Sequence, residues 1–419
     1  MSENLRRNTI ENADVFEYVR SLPSESVNCV VTSPPYYGLR DYGTGSKWVG
    51  GDANCNHRGK VFTSPPGSEK QASNRGENAV TGLTCEKCGA TREDKQLGLE
   101  NTPQLFIEHL VSLFTEIKRI LRKDGTVWLN LGDSYAGSAN GRAADESSKM
   151  GIRFRDRPID TVRGGFKPKD LMMIPHRVAI ALQDSGWWVR NDIILSKSNP
   201  MPESARDRCT LSHEYVFLLT KSERYWIDME SIREIAISYN NPSDGNPSLT
   251  RNKRTVWNVQ LCASKESHFA SFSPDWIRPM VKAGCPDKTC SICGMPYKIV
   301  VATAGGMLGA SWTDHSQDPF VGKSRNILSS DSFSKYQRSH SYVKNCNCDS
   351  AIVPGVVFDP FMGSGTTALV AVQEGRDYIG CDLNPEYVAM SNNRLSKADP
   401  FRPYEHPEGI IQHSLFENL

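Results

Sequence analysis

Residues 356–386, VVFDPFMGSGTTALVAVQEGRDYIGCDLNPE, constrain this chain more than any other stretch. Val356-Val357-Phe358 reads as a buried strand, Asp359 to Gly365 as a tight turn, Thr366 to Gln373 as a helix, and Tyr378 to Cys381 as a second strand. Strands alternating with helices predict a parallel, layered α/β core. Gly363 and Gly365 let the backbone pass close to a ligand, and the helix start beyond them offers unpaired N–H groups. Asp382, roughly 20 positions past the turn, closes the second strand and is placed to hold a ribose diol. The plain alternative is a glycine turn that holds nothing. The pattern Phe361-x-Gly363-x-Gly365 lacks the lysine of a phosphate loop, and no second half-fold of the dinucleotide type follows it.

The rest of the chain supplies matching elements between polar stretches. A short helix is predicted at Val15 to Leu22, and a strand at Val27 to Thr32 that runs into Ser33-Pro34-Pro35-Tyr36, where proline ends the ladder. Leu105, Phe106, His109, Leu110, Leu113, Phe114, Ile117, Ile120 and Leu121 form a helical stripe, closed by Lys123-Asp124-Gly125 and followed by a strand from Thr126 to Leu131. A helix at Met172 to Gln183 and a strand at Val189 to Leu195 come next. A hairpin is then predicted, Tyr215 to Thr220 against Tyr225 to Ile227. Residues 51–96, 135–168, 230–255 and 303–350 are polar and lack periodicity.

The balance of 49 Lys+Arg against 48 Asp+Glu leaves +1, so net charge announces neither a nucleic-acid nor a membrane partner. No run approaches the roughly 18 apolar residues of a membrane span, and the start MSENLRRNTIENADV lacks the apolar centre of a signal peptide. A reducing cytoplasm is therefore expected, and the 12 cysteines are read as metal ligands or core thiols before disulfides. Cys55-x-His57 with Cys85-x-x-Cys88, and Cys290-x-x-Cys293 with Cys346-x-Cys348, are each enough for one tetrahedral, structural zinc. Cys285 could compete for the second site; Cys29 and Cys381 read as small core residues.

The stretch Asp359-Pro360-Phe361-Met362-Gly363-Ser364-Gly365-Thr366-Thr367 resembles the S-adenosylmethionine loop of the amino-group DNA methyltransferases, and Ser33-Pro34-Pro35-Tyr36 resembles their catalytic motif. The chemistry suits those residue types. An exocyclic amino nitrogen shares its lone pair with the ring; acceptors at Ser33 and the Pro34 carbonyl draw its two N–H bonds and free that pair. Pro34-Pro35 fixes the carbonyl, and Tyr36 gives a flipped base a flat face. The order, catalytic turn first, is similar to the β arrangement of the family, a circular permutation of a Rossmann-like sheet. Further blocks resemble the family: Gly125 to Ser134, Ile193 to Tyr215, and Ser267 to Lys282, the last being the segment that closes over the cofactor. The resemblance implies cofactor contacts from Asp14, His268, Phe269, Ala270, Phe272, the loop Asp359 to Thr367, Asp382 and Asn384.

Ser33 resembles the N4-cytosine members, whereas most N6-adenine members carry Asp there; N4-cytosine is favoured, with N6-adenine as the alternative. A C5-cytosine enzyme is disfavoured, since no Pro-Cys pair supplies its nucleophile. An RNA or protein-amide methyltransferase, or a zinc-stabilised DNA-binding module with a vestigial cofactor fold, stand as rivals. Double-stranded DNA is the expected partner, with phosphate contacts from loop residues such as Arg153, Arg155, Arg163, Lys167, Arg251 and Arg254. Oligomeric state stays open, a homodimer included, and the chain is a solitary methylase or works beside a separate restriction nuclease. The expected organisation runs as core 1–50, zinc knuckle 51–98, core with a basic loop 99–229, DNA-recognition segment 230–262, cofactor-closing segment 263–285, second zinc knuckle 286–352, cofactor half of the core 353–400, and tail 401–419.

Overall fold

The computed structural model describes residues 5–38, 47–52, 54–55, 60–61, 80–81, 85, 87–93, 96–100, 102–136, 166–167, 169–200, 202–203, 205–235, 250–260, 273–304 and 337–398. They divide into two compact units: Met1–Ile227 with Thr255–Asp287 and Pro354–Leu419, and Asp228–Arg254 with Lys288–Val353.

The first unit is an α/β layer structure on an eight-stranded sheet. Its strands are β1 (Thr9–Asn12), β2 (Val27–Thr32), β3 (Leu121–Leu131), β4 (Trp188–Lys197), β5 (His213–Thr220), β6 (Val256–Val259), β7 (Val356–Asp359) and β8 (Asp377–Asp382), in the order β1-β8-β7-β2-β3-β5-β4-β6. Every residue of β2 and β7 is buried, as expected of central strands covered on both faces. The helices are α1 (Val15–Ser21), α2 (Pro103–Ile120), α3 (Ile174–Asp184), α4 (Pro274–Gly284), α5 (Thr366–Gln373) and α6 (Pro385–Ser396).

Sequence explains α2 well. Thr102 caps it, its hydroxyl accepting from Leu105 N at 3.2 Å, Pro103 occupies the first turn, and Phe106, Leu110, Leu113, Phe114, Ile117 and Ile120 are fully buried. That face meets α1, α3 and the side of the sheet carrying Val30, Val127 and Leu129. The alternate residues Cys29 and Trp128 face α4, where a methyl on Gly284 would collide with both.

Two expectations are corrected. The sheet is mixed: β1, β8, β7, β2 and β3 are parallel neighbours, but β5 runs antiparallel to both β3 and β4. The chain between β4 and β5 holds no helix among its described residues, so it turns back directly instead of crossing over. The hairpin at 221–224 is also absent. Both edges of β5 are taken by β3 and β4, leaving none for residues 225–227; Trp226 N donates instead to the Asp124 carbonyl at 2.8 Å.

The second unit is built from antiparallel ribbons: Lys298–Ala304 with Gln337–Val343, Thr289–Cys290 with Ile352–Val353, and Glu234–Ile235 with Thr250–Arg251. No helix among the described residues is long and apolar enough to cross a membrane.

Candidate active site

Parallel pairing brings the carboxyl ends of β2, β7 and β8 side by side, although β2 and β7 are separated by more than 300 residues of chain. Asp359, at the end of β7, joins the two halves. Its Oδ1 accepts from Thr32 Oγ1 at 2.8 Å and Phe361 N at 3.0 Å, and its Oδ2 accepts from Thr367 Oγ1 at 2.6 Å. Thr32 precedes Ser33, so one carboxylate ties the proline turn to the glycine turn. Burial pushes the Asp359 carboxyl up to about 6 against these bonds.

Asp382 ends β8 and braces the glycine turn. Gly363 N donates to its Oδ2 at 2.8 Å and Asn384 N to its Oδ1 at 2.9 Å; burial raises its pKa. Asn384 caps α6, accepting from Glu386 N. Gly363 and Gly365 both have positive φ, at +53° and +78°. The positions differ in what surrounds them. A Cβ on Gly365 would strike Ser391 at 2.9 Å, whereas one on Gly363 would meet only the Phe361 carbonyl at 3.9 Å. Gly365 thus seats α6 against the turn, and Gly363 keeps the space over it open. Thr366 is buried and accepts from Arg394 at 2.9 Å. Ser364 offers its carbonyl to the same guanidinium at 3.3 Å. Pro360 and Phe361 complete the turn, Phe361 half-buried against the core.

Asp14 caps α1, its carboxylate accepting from Phe16 N at 3.0 Å and Glu17 N at 3.2 Å. The β1–β8 register aligns Asn12 with Asp382, and Ala13 N donates to the Asp382 carbonyl. Asp14 therefore lies at the same sheet end as the glycine turn. His268, Phe269, Ala270 and Phe272 lie outside the described residues.

Around Ser33, Pro34, Pro35 and Tyr36 the structure adds residues that sequence reasoning did not single out. Tyr36 Oη is 2.7 Å from Glu214 Oε2, 3.0 Å from Asn130 Oδ1 and 3.5 Å from Ser33 Oγ. The Tyr36 ring lies against Gly132, where a Cβ would fall 2.4 Å from it. Gly98 packs under the turn, close to the Pro35 and Tyr36 carbonyls, and its own carbonyl accepts from Gly38 N at 2.9 Å. Gly132 and Glu214 stood in stretches with family likeness, but only the fold brings them to Tyr36.

The cysteines gather as two groups. Sγ atoms of Cys290, Cys293, Cys346 and Cys348 lie within 4.8 Å of one another, as do those of Cys55, Cys85 and Cys88; His57 lies outside the described residues. Both Cys-x-x-Cys-Gly turns have one geometry. Gly89 N donates to the Cys85 carbonyl and Gly294 N to that of Cys290, with φ of +74° and +67° at the two glycines. Cys55 and Cys85 sulfurs stand 3.8 Å apart, too far for a disulfide. The backbone N–H of Cys293 and the Ser350 hydroxyl pull the Cys290 thiol down to about 5. Cys285 is buried at the end of α4, outside the cluster.

Of the basic candidates, Arg251 and Arg254 share Glu234, at 2.8 and 2.6 Å from its Oε1. Lys167 is exposed, 3.5 Å from Asp170. Arg153, Arg155 and Arg163 lie outside the described residues.

The family model described as DNA methylase, N6_N4_Mtase, matches residues 27–325 and 338–393. The chain belongs to this DNA methylase family. It is an S-adenosylmethionine-dependent amino-methyltransferase, with N4 of cytosine and N6 of adenine both within the family's chemistry. Type II methyltransferase M.XycI of Xanthomonas campestris pv. cyanopsidis is 34% identical over 392 residues, covering 93% of this chain and 88% of that protein. M.Cfr9I of Citrobacter freundii is 34% identical, covering 95% and 91%, and M.SmaI of Serratia marcescens is 32% identical, covering 94% and 93%. Among solved structures, PvuII DNA methyltransferase (cytosine-N4-specific) aligns at a TM-score of 0.46 and 15% identity over 92% of this chain and 87% of that one, a likeness too loose to argue from.

Proposed function

We propose that this methylase modifies the N4 amino group of cytosine in duplex DNA, with the flipped base received by Ser33, Pro34, Pro35 and Tyr36. The observation that carries the reading is the hydroxyl of Ser33 at the end of β2, tied through Thr32 and Asp359 to the glycine turn. Ser33 Oγ and the Pro34 carbonyl accept the two amino N–H bonds, so the nitrogen lone pair turns out of conjugation with the ring. Tyr36 offers a face for the base, and its ring is set by Gly132 behind it. S-adenosylmethionine supplies, when bound, the electrophilic methyl group. The open space over Gly363 and the acids Asp14 and Asp382 at the same sheet end fit such a ligand: backbone can approach at the turn, and Asp382 can take the ribose hydroxyls. Pro360, Phe361, Ser364, Thr366, Thr367 and Asn384 shape that turn, and His268, Phe269, Ala270 and Phe272 complete the cofactor side. The catalytic half precedes the cofactor half in the chain, the permuted order of the Rossmann-like sheet.

Incubation of the protein with labelled S-adenosylmethionine and plasmid DNA or RNA tests the substrate class. Label enters duplex DNA, and Ser33→Ala lowers the rate by roughly 100-fold, the loss of one oxyanion-hole-type partner. Several-fold better labelling of RNA contradicts the reading.

The two thiol groups are read as structural zinc sites, His57 completing the one with Cys55, Cys85 and Cys88. A tetrahedron with metal–sulfur bonds of about 2.3 Å has sulfur–sulfur edges of about 3.8 Å, the separation of Cys55 and Cys85. Closed sites of this kind hold polar segments that bury little apolar surface. Elemental analysis of the purified protein is expected to give about two zinc per chain, and Cys293→Ser to remove one. A metal-free protein with unchanged thermal unfolding contradicts this assignment. Lys167, Arg153, Arg155, Arg163, Arg251 and Arg254 are the phosphate contacts of the same reading; Arg251 and Arg254 share one carboxylate, so the pair keeps a net positive charge. Proposed unit boundaries follow the sequence reading, with 51–98 and 286–352 as the inserted knuckles.

A further inference from the structure

A serine hydroxyl is ambivalent: it donates one hydrogen and accepts through two lone pairs. A base amino group presents N–H donors to the catalytic turn. Ser33 serves as acceptor only when its own hydrogen is directed elsewhere, a constraint that a carboxylate at this position would not face.

The surroundings of Tyr36 determine that direction. Asn130 Nδ2 donates to the Tyr215 carbonyl at 3.0 Å, so the atom it turns to Tyr36 Oη, 3.0 Å away, is its oxygen. Glu214 Oε2, at 2.7 Å, is a second acceptor. Glu214 Oε1 is in turn held by Lys197 Nζ at 2.5 Å, with both side chains largely buried. With acceptors at both positions, the single Tyr36 hydrogen is directed to Glu214, the nearer of the two, and a lone pair of its oxygen faces Ser33.

We propose that Glu214, anchored by Lys197, is a positioning residue that sets the polarity of this hydroxyl chain. Ser33 donates to Tyr36, Tyr36 donates to Glu214, and the free lone pairs of Ser33 face the amino group. The Ser33–Tyr36 separation of 3.5 Å exceeds that of a formed hydroxyl pair, and such bonds tighten when substrate fills the site. The proposal rests on Ser33 as the amino-group acceptor.

The test is single-turnover methyl transfer from labelled S-adenosylmethionine to plasmid DNA, with cofactor affinity, DNA affinity and thermal unfolding measured alongside. Tyr36→Phe keeps the ring and removes the hydroxyl; Glu214→Gln replaces an acceptor by a group that also donates. Each is expected to slow the chemical step about tenfold, the scale of one hydrogen bond, with both affinities unchanged. The double variant is expected to be no slower than Tyr36→Phe alone, because both changes cut one chain. A wild-type rate for Tyr36→Phe overturns the proposal even if Glu214→Gln does not fold. So does a Glu214→Gln effect that persists undiminished in the Tyr36→Phe background. A wild-type rate for Ser33→Ala sinks the acceptor reading of Ser33 itself, whereas a slow Ser33→Ala beside fast Tyr36→Phe and Glu214→Gln sinks only the polarity chain.

Discussion

Asp359→Ala is expected to cost about 3 kcal/mol of stability, since it strands the buried hydroxyls of Thr32 and Thr367 and the N–H of Phe361. Methyl transfer should fall by about 100-fold or more, the scale of an approximately 1 Å misplacement of Ser33 relative to the glycine turn. Asp359→Asn keeps an acceptor for Thr32 and Phe361, and its amide can donate to a rotated Thr367 hydroxyl, so fold and most activity persist. The two proteins also differ in pH dependence. Burial raises the native carboxyl to about 6, so between that value and the ordinary 3.8 the folded state binds more protons than the unfolded state. Stability from this group therefore rises as pH falls from about 6 to about 4, and it is lost as pH rises again; the full span is worth about 3 kcal/mol. Denaturant unfolding across that range should show the natural protein gaining stability relative to Asp359→Asn as pH falls. Parallel curves contradict the role given to this carboxylate.

Gly363→Val is expected to weaken S-adenosylmethionine binding by at least about 100-fold, a loss of roughly 3 kcal/mol. A β-branched residue at φ +53° is strained, and its side chain would fill the space kept open over the turn. Strain alone is separated from obstruction by Gly375→Val. Gly375 has φ +69° and nothing within 4 Å of its would-be Cβ, where Gly363 has only the Phe361 carbonyl at 3.9 Å, but it lies at the opposite end of α5. Calorimetry should give both variants similar stability losses and only Gly363→Val a loss of cofactor affinity. Equal cofactor affinities would remove Gly363 from the binding surface.

What could be read directly from the chain is local. The strand, glycine turn, helix and strand of residues 356–386 fall in place because each is specified by neighbours within a few positions; α5 has the expected limits, Thr366–Gln373. The cysteine pairs were legible for the same reason, since spacing and a following glycine specify the turn. The reversed β5 was not, because an apolar strand carries no mark of its direction, and the polar Lys221–Arg224 segment imitates a hairpin turn. Long-range polar links were equally hidden. Thr32 meets Asp359 and Tyr36 meets Glu214 only through strand order, and nothing in the local pattern distinguishes those side chains from others on the same strands. Gathering Asp228–Arg254 with Lys288–Val353 in one unit likewise depends on the fold, since α4 and β6 lie between them in the chain.

Methyl transfer to the amino group of cytosine is tested most directly by mass spectrometry of the nucleosides of plasmid DNA incubated with the protein and methyl-labelled S-adenosylmethionine. The geometry and residue types at Ser33-Pro34-Pro35-Tyr36 predict labelled N4-methylcytosine, lost in Ser33→Ala. Labelled N6-methyladenine would keep the family and overturn the base assignment. Labelled 5-methylcytosine, or no labelled nucleoside from a protein that binds its cofactor, would contradict the account of the turn.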